Sequence, residues 1–545
     1  MRTSARSAVP TFLTLLCFAT VTFAQAPAKQ AAAKVPRGSI SGRITIKEKP
    51  VAGVMVGLRH SDGMNPFEQL GRATTDQDGV YRITNVAPGS YYVVVTAPAY
   101  VLSDGTYTPK SVVIGEDESV DGVNYSLIRG GVITGKLTDA DGRPIIQMQV
   151  DLFRVDLIEK QTGGGQLYPS NSGITDDRGV YRVFGLFPGK YKVAAGRNDQ
   201  FSGNFNTQAR SYKQVFYPDA SDVAKATVVD VSEGSEAKDV DIALGRTMQT
   251  FSVSGHVINT ENGQPVPNVR YGLTRTIGER SEYVNSFIAS DSRGDFVTEG
   301  LLPGKYVILQ FAGEGSDLRL DTTGFDVIDQ DITDLPIKLS KGASILGSVV
   351  LESDDKAARS KLVQLQLRGH VMIGPSYANS VSSMIAADGS FRFGGLQNGI
   401  VNFSLTEKNM PFPPKGFTIS RIERDGALVQ QLQVRDGETI SGVKIFVAYG
   451  SATLRGVINV ENGVLPADSH LFVRITRVGE NNSNFRPPQV DARGHFIAEG
   501  LPPGVYDVVV NIFGGNTKVR LPPKQSVTLS DGVVLDVTFT IDLAP

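Results

Sequence analysis

A phrase of about twenty residues occurs five times along this chain, and a repeat at near-regular spacing decides the architecture before any single residue does. Its first copy is Thr75-Asp76-Gln77-Asp78-Gly79-Val80-Tyr81-Arg82-Ile83-Thr84-Asn85-Val86-Ala87-Pro88-Gly89-Ser90-Tyr91-Tyr92-Val93-Val94-Val95. It reads as strand, turn, strand, tight turn, strand. Asp78-Gly79 is a hairpin-turn dipeptide, because Gly accepts positive φ and Asp can cap the turn with its carboxylate. Tyr81 and Ile83 alternate as one face of a strand does. Pro88-Gly89 makes a second turn, Pro presetting φ and Gly free to take the positive value that follows. Read locally, the phrase predicts a β-hairpin.

The phrase returns at Asp176-Asp177-Arg178-Gly179-Val180-Tyr181, at Asp291-Ser292-Arg293-Gly294-Asp295-Phe296, more weakly at Asp388-Gly389-Ser390-Phe391, and at Asp491-Ala492-Arg493-Gly494-His495-Phe496. The second-turn glycines, Gly89, Gly189, Gly304, Gly399 and Gly504, lie about 95 to 115 residues apart, the size of one small sandwich domain. Two residues after the first-turn Gly every copy has an aromatic: Tyr81, Tyr181, Phe296, Phe391, Phe496. Three before the second-turn Gly every copy has an aliphatic: Val86, Leu186, Leu301, Leu396, Leu501. These are turn and core positions. None is a nucleophile, a base or a metal-ligand set.

Each unit opens on an apolar-x-Gly-x-apolar strand, as in Ile40-Ser41-Gly42-Arg43-Ile44 and Val253-Ser254-Gly255-His256-Val257. Each closes on a Val-rich strand, a turn and a final strand, as in Val527-Thr528-Leu529-Ser530-Asp531-Gly532 followed by Val537-Thr538-Phe539-Thr540-Ile541. Six or seven strands per unit fit a Greek-key or related sandwich, and no helix of ten residues is expected. The fold class is therefore all-β: five tandem Ig-like antiparallel β-sandwiches, at 38–128, 129–246 (with long loops), 247–340, 341–448 (degenerate) and 449–545. Connections between them are short, which restricts relative domain motion and predicts a semi-rigid rod.

The N-terminus adds a compartment. Arg2 and Arg6 precede an apolar run through Phe12, Leu13, Leu15, Leu16, Cys17 and Phe18, ending at Thr22-Phe23-Ala24. This is the pattern of a secretory signal peptide, cleaved after Ala24; a flexible Ala/Pro/Lys leader follows at 25–37. Cys17 is the one cysteine, so the mature chain has none and export is not accompanied by disulfides. A net charge of −2 gives no electrostatic basis for nucleic-acid binding.

The phrases Asp-x-x-Gly-x-Tyr/Phe and Leu-x-Pro-Gly-x-Tyr resemble those of the carboxypeptidase regulatory-like domain family. The resemblance implies a prealbumin-like sandwich, related to the Cna-B and starch-binding-like folds, repeated over essentially the whole mature chain. It implies an accessory module rather than a particular activity, and an exported protein of a Gram-negative bacterium: secreted, periplasmic or at the cell surface. The peptidase itself is not expected. None of His60, His256, His370, His470 and His495 begins the His-x-x-Glu pair that such a zinc site uses.

Other motifs resolve to turns and strands. Gly130-Gly131-Val132-Ile133-Thr134-Gly135-Lys136 continues with Leu137, where a phosphate loop needs Ser or Thr. Asp76-Gln77-Asp78-Gly79 starts like a calcium loop, but the position twelve residues on is Ala87 rather than an acid. The residue after each opening glycine (Arg43, Lys136, His256, Ser348, Val457) supplies no shared inward lysine for an isopeptide bond.

The second unit departs most from the plan. It carries a Gly-rich excursion at 161–169 and a longer one at 198–226, and long aromatic loops on a rigid scaffold are where binding usually resides. Tyr168, Tyr212, Phe216 and Tyr217 are the candidate binding residues, since such rings stack on a ligand and a phenol hydrogen-bonds to it. The reading is an exported, non-catalytic binding or scaffold protein, acting as a monomer, with no cofactor, no metal and no membrane span after cleavage. Its expected partner is a polysaccharide, by resemblance, or an envelope protein. The alternatives are a structural spacer or adhesin-type rod, and an accessory subunit of an extracellular degradative system.

Overall fold

In the computed structural model, residues 37–61, 70–105, 109–160, 168–196, 212–277, 280–310, 316–373, 376–408, 413–466, 469–479, 487–514 and 521–544 are described. The expected signal segment and the expected leader before Arg37, residues 161–167 and residues 197–211 lie outside them.

The first unit shows the plan. Its main strands are β1 (Gly38–Ile46), β2 (Met55–His60), β3 (Gly71–Thr74), β4 (Val80–Val86), β5 (Gly89–Thr96), β6 (Tyr100–Leu102), β7 (Lys110–Ile114) and β8 (Tyr125–Arg129). They form two sheets, β3-β2-β5-β7 and β4-β1-β8-β6. The sheets enclose a core of Ile40, Ile44, Leu58, Tyr81, Tyr91 and Val93, all buried. The other four units repeat this arrangement around four further cores. The sandwich fold expected from the repeats is the fold observed.

Three expectations are corrected. The organising phrase is not a hairpin. β3 pairs with β2, β4 pairs with β1, and β5 pairs with β2 and β7. Both turns are thus corners at which the chain passes from one sheet to the other. Turn chemistry specifies a chain reversal; which strand becomes the neighbour depends on which face is buried. The capping carboxylate is also Asp76 rather than Asp78: Asp76 Oδ1 accepts from the N–H groups of Asp78 (3.0 Å) and Val80 (2.8 Å). Asp176, Asp291 and Asp491 do the same in their copies. Nor is every pair antiparallel. In each copy the opening strand runs parallel to the closing one, as in Ile44 beside Tyr125 and Ile458 beside Phe539.

Helix is scarce among the described residues. The two α-helices are α1 (Val155–Lys160) in the second unit and Lys356–Leu362 in the fourth. No helix there is long and apolar enough to cross a membrane.

Candidate functional site

The second sandwich is built from β9 (Gly131–Thr138), β10 (Gln149–Arg154), β11 (Asn171–Ile174), β12 (Val180–Leu186), β13 (Gly189–Ala195), β14 (Val215–Phe216) and β15 (Val229–Val231). One sheet runs β11-β10-β13-β14. Phe216, on its edge strand, is 4% exposed and packs in a small satellite core with Phe153, Ala194 and Ala226; the Phe216 and Phe153 ring centres lie 6.0 Å apart. This ring is spent on its own domain. Tyr212 and Tyr217 are half-buried against the main core. Tyr217 is also anchored by its backbone, donating to Val193 O at 2.8 Å and accepting from Thr227 N at 2.9 Å. Burial, with the nearby Asp139 carboxylate, raises the Tyr212 phenol above its ordinary range.

Tyr168 differs. It is 61% exposed and lies three residues before β11, the strand at the opposite edge of the sheet from β14. Three strand spacings separate those edges, roughly 14 Å. The four candidate residues are therefore not brought into one site. Their shared excursion into long loops signalled departure from the repeat, but not which rings would turn inward.

A concave feature lies on the first sandwich, a cleft of about 380 Å³ lined by Arg43, Asp104, Lys110, Asn124 and Tyr125 among others. Its lysine is committed. Lys110 Nζ donates to Asn124 O at 2.6 Å and sits 4.8 Å from the Tyr125 ring centre. No nucleophile–base pair is formed there among the described residues, and those residues hold no group of three or more metal-ligating side chains close enough to share an ion.

What the copies do share, and what reading the repeats missed, is a bulge that forms a joint in three of them. One residue before the buried aliphatic of β4 and its equivalents, each copy has a β-bulge with positive φ: Asn85 (62°), Gly185 (69°), Gly300 (75°), Gly395 (64°) and Gly500 (74°). A left-handed residue is what this kind of bulge needs. In three copies the missing Cβ also makes room for the preceding sandwich. A Cβ at Gly185 would lie 2.7 Å from Pro98 O, one at Gly395 2.6 Å from Leu318 O, and one at Gly500 2.7 Å from Gly416 N. Ion pairs also join these neighbours: Lys47 with Glu233 at 3.1 Å, Lys415 with Glu499 at 2.7 Å, and Arg392 with Asp317. Arg319 adds a hydrogen bond across the joint between the third and fourth units, 3.0 Å to Asp436. The signal was present in the sequence: this position is Gly in four copies and Asn in the first, the residue types that accept left-handed backbone.

The fold and its joints define a tandem array of β-sandwich modules. Residues 39–122 match the carboxypeptidase regulatory-like domain family, so the first sandwich is the kind of domain its phrases resemble. The chain is also similar to serine-aspartate repeat-containing protein C of Staphylococcus aureus, 30% identical over 28% of this chain and 17% of that protein. It thus spans about a sixth of the length of the relatives it matches. Among solved structures it is similar to the Bacillus anthracis TIE protein (12% identity, TM-score 0.16, 73% of this chain and 69% of that one). It is also similar to a streptococcal ancillary pilin (11% identity, TM-score 0.24, 56% and 99%). These relatives lend no support to the expected Gram-negative origin.

Proposed function

We propose that this chain is an exported, non-catalytic scaffold of the adhesin type, presenting its sandwiches outside the cell. The observation that carries this reading is where the repeated residues are used. Positions common to the copies serve turns, cores and the bulge, which in three copies seats a neighbouring sandwich, while side chains able to do acid–base chemistry, the turn-capping Asp and the core Tyr apart, differ from copy to copy. Residues that recur only where packing demands them suit a protein whose product is geometry. The family match, over residues 39–122, is to a regulatory-like domain, which suits an accessory role.

Polysaccharide binding is the narrower reading, and the exposed Tyr168 ring favours it. Phe216 does not contribute, because it is core. The test is the purified chain, and its Tyr168→Ala variant, applied to a polysaccharide panel and to envelope extract in parallel. Binding to a glycan that Tyr168→Ala removes supports the narrower reading. Retention of an envelope protein without glycan binding supports the scaffold alone. Catalytic turnover of any bound material overturns the non-catalytic reading.

A further inference from the structure

The Asp-x-Arg-Gly corner occurs in the second, third and fifth copies, and in all three one carboxylate oxygen of the Asp caps its own turn. In two of them the arginine points into solvent: the Arg178 and Arg293 side chains are 77% and 79% exposed. In the fifth copy the same corner is docked. Arg493 is 36% exposed, and the Asp491 side chain 2%.

It docks on the first sandwich. β7 is an edge strand, paired with β5 alone in its sheet. The free side of Val113 receives both halves of the corner. Its N–H donates to Asp491 Oδ2 at 3.1 Å, and its C=O accepts from Arg493 Nη2 at 2.5 Å. A carboxylate and a guanidinium thus satisfy one edge residue as a neighbouring strand would. Two residues along the same edge, Ser111 Oγ donates to Val490 O at 3.1 Å. Arg493 Nη1 reaches Glu118 Oε1 at 2.7 Å, and Glu118 is itself oriented by the Gly115 N–H, 2.6 Å from its other oxygen. Burial acts to raise the Glu118 carboxyl, but the Gly115 N–H and the Arg493 guanidinium outweigh it and hold the group below its ordinary range. Short connections therefore do not keep the first and last sandwiches apart.

We propose that the Asp491–Arg493 corner is an intramolecular clasp, through which the fifth sandwich covers the β7 edge of the first and shields it from pairing with other chains. The closing group is three charged side chains in a partly desolvated contact, where such hydrogen bonds are about twice as strong as neutral ones. Releasing it uncovers an unpaired strand edge, the surface by which sandwiches recruit an extended partner.

The test uses the full chain with Cys17→Ser, Glu116→Cys and Ala492→Cys, treated in dilute solution with a short thiol cross-linker. The expected product is an internal cross-link at the mass of one chain. Arg493→Ala added to that background slows cross-linking about tenfold, the factor that loss of one strong contact produces. Glu118→Gln slows it from the other side of the contact, and Arg293→Ala, the exposed counterpart, leaves it unchanged. An unaltered thermal midpoint for the fifth sandwich shows that Arg493→Ala has not simply unfolded it. Absence of the internal product in the parent, a product joining two chains, or equal rates for Arg493→Ala and Arg293→Ala overturns the proposal.

Discussion

Gly42 stands directly opposite Tyr81 on the neighbouring strand, and the same pair recurs as Gly135 with Tyr181, Gly255 with Phe296, Gly347 with Phe391 and Gly456 with Phe496. Each aromatic is buried. A Cβ at Gly456 would sit 2.1 Å from the Phe496 ring, and one at Gly42 2.1 Å from Val123 O. The opening glycine is the hollow into which the phrase's aromatic and the closing strand fit. Gly456→Ala is therefore expected to destabilise the fifth sandwich by about 2 to 3 kcal/mol through overpacking. Adding Phe496→Leu should recover part of that loss, because the ring is the obstacle. Thermal unfolding of the two variants checks it; additive losses would mean that the two positions do not meet.

The second-turn tyrosines close their own corners. Tyr91, Tyr191, Tyr306 and Tyr506 each donate to the carbonyl four residues earlier, at 2.7 to 2.8 Å. This is the corner tie known from Ig-type sandwiches. Tyr506→Phe keeps the ring and removes the donor, so a loss of about 1 kcal/mol is expected. Denaturant unfolding measures it, and a variant as stable as the parent would deny the tie an energetic role.

Alkaline pH should unfold the chain through its buried phenols. Burial pushes Tyr81, Tyr125 and Tyr181 well above the ordinary phenol range, and Tyr271 up to about 12. In the unfolded chain a tyrosine titrates near 10. The folded state thus holds these protons more tightly, so its advantage is present below about pH 10 and is lost as pH rises through the folded values. Tyrosinate absorbance should rise in two stages: exposed phenols first, then the buried ones together with loss of the β-sheet circular-dichroism signal. A single stage near pH 10 with the sheet signal intact would contradict this.

The bulge glycines separate backbone strain from docking. Gly300 and Gly500 have nearly the same φ, 75° and 74°. Nothing described lies within 4 Å of a Cβ at Gly300, whereas Gly416 N lies 2.7 Å from one at Gly500. Gly300→Ala should lose only the left-handed penalty, about 1 to 2 kcal/mol. Gly500→Ala should lose this and also loosen the joint between the fourth and fifth sandwiches, making the connection near Gly450 a faster site of limited proteolysis. Equal cleavage rates for the two variants would remove the docking role.

Phe216→Ala should act on stability rather than on binding. Emptying the satellite core around Phe153 is expected to destabilise the second sandwich by about 3 to 5 kcal/mol, while Tyr168→Ala leaves its unfolding free energy within about 0.5 kcal/mol of the parent. Reversed effects would place Phe216 on the surface.

Much of the fold was legible in the sequence. A repeat compared with itself reveals which positions the backbone and core constrain, so Gly79, Tyr81, Val86 and Gly89 announced turns and buried faces without any coordinates. Alternation and turn dipeptides act over neighbours of one to four residues, and that range reached the strands but not their partners. The phrase therefore read as a hairpin, although Val80–Val86 and Gly89–Thr96 belong to different sheets. Pairing direction was equally silent, since Ile44 alternates the same way whether Tyr125 runs beside it parallel or antiparallel.

The candidate site was less legible, for the same reason. Tyr168, Tyr212, Phe216 and Tyr217 are chemically alike in sequence. Only the sheet order, which puts β11 and β14 at opposite edges, and the apolar cluster around Phe153, which takes in Phe216, distinguish them. The two Asp-x-Arg-Gly corners at Arg293 and Arg493 are likewise almost the same string. The sequence determined that both are capped turns, a matter of one carboxylate and two nearby N–H groups. Only the tertiary structure left the first in water and set the second against Val113 and Glu118, because a contact across about 380 residues depends on how five sandwiches seat on one another and not on any local preference.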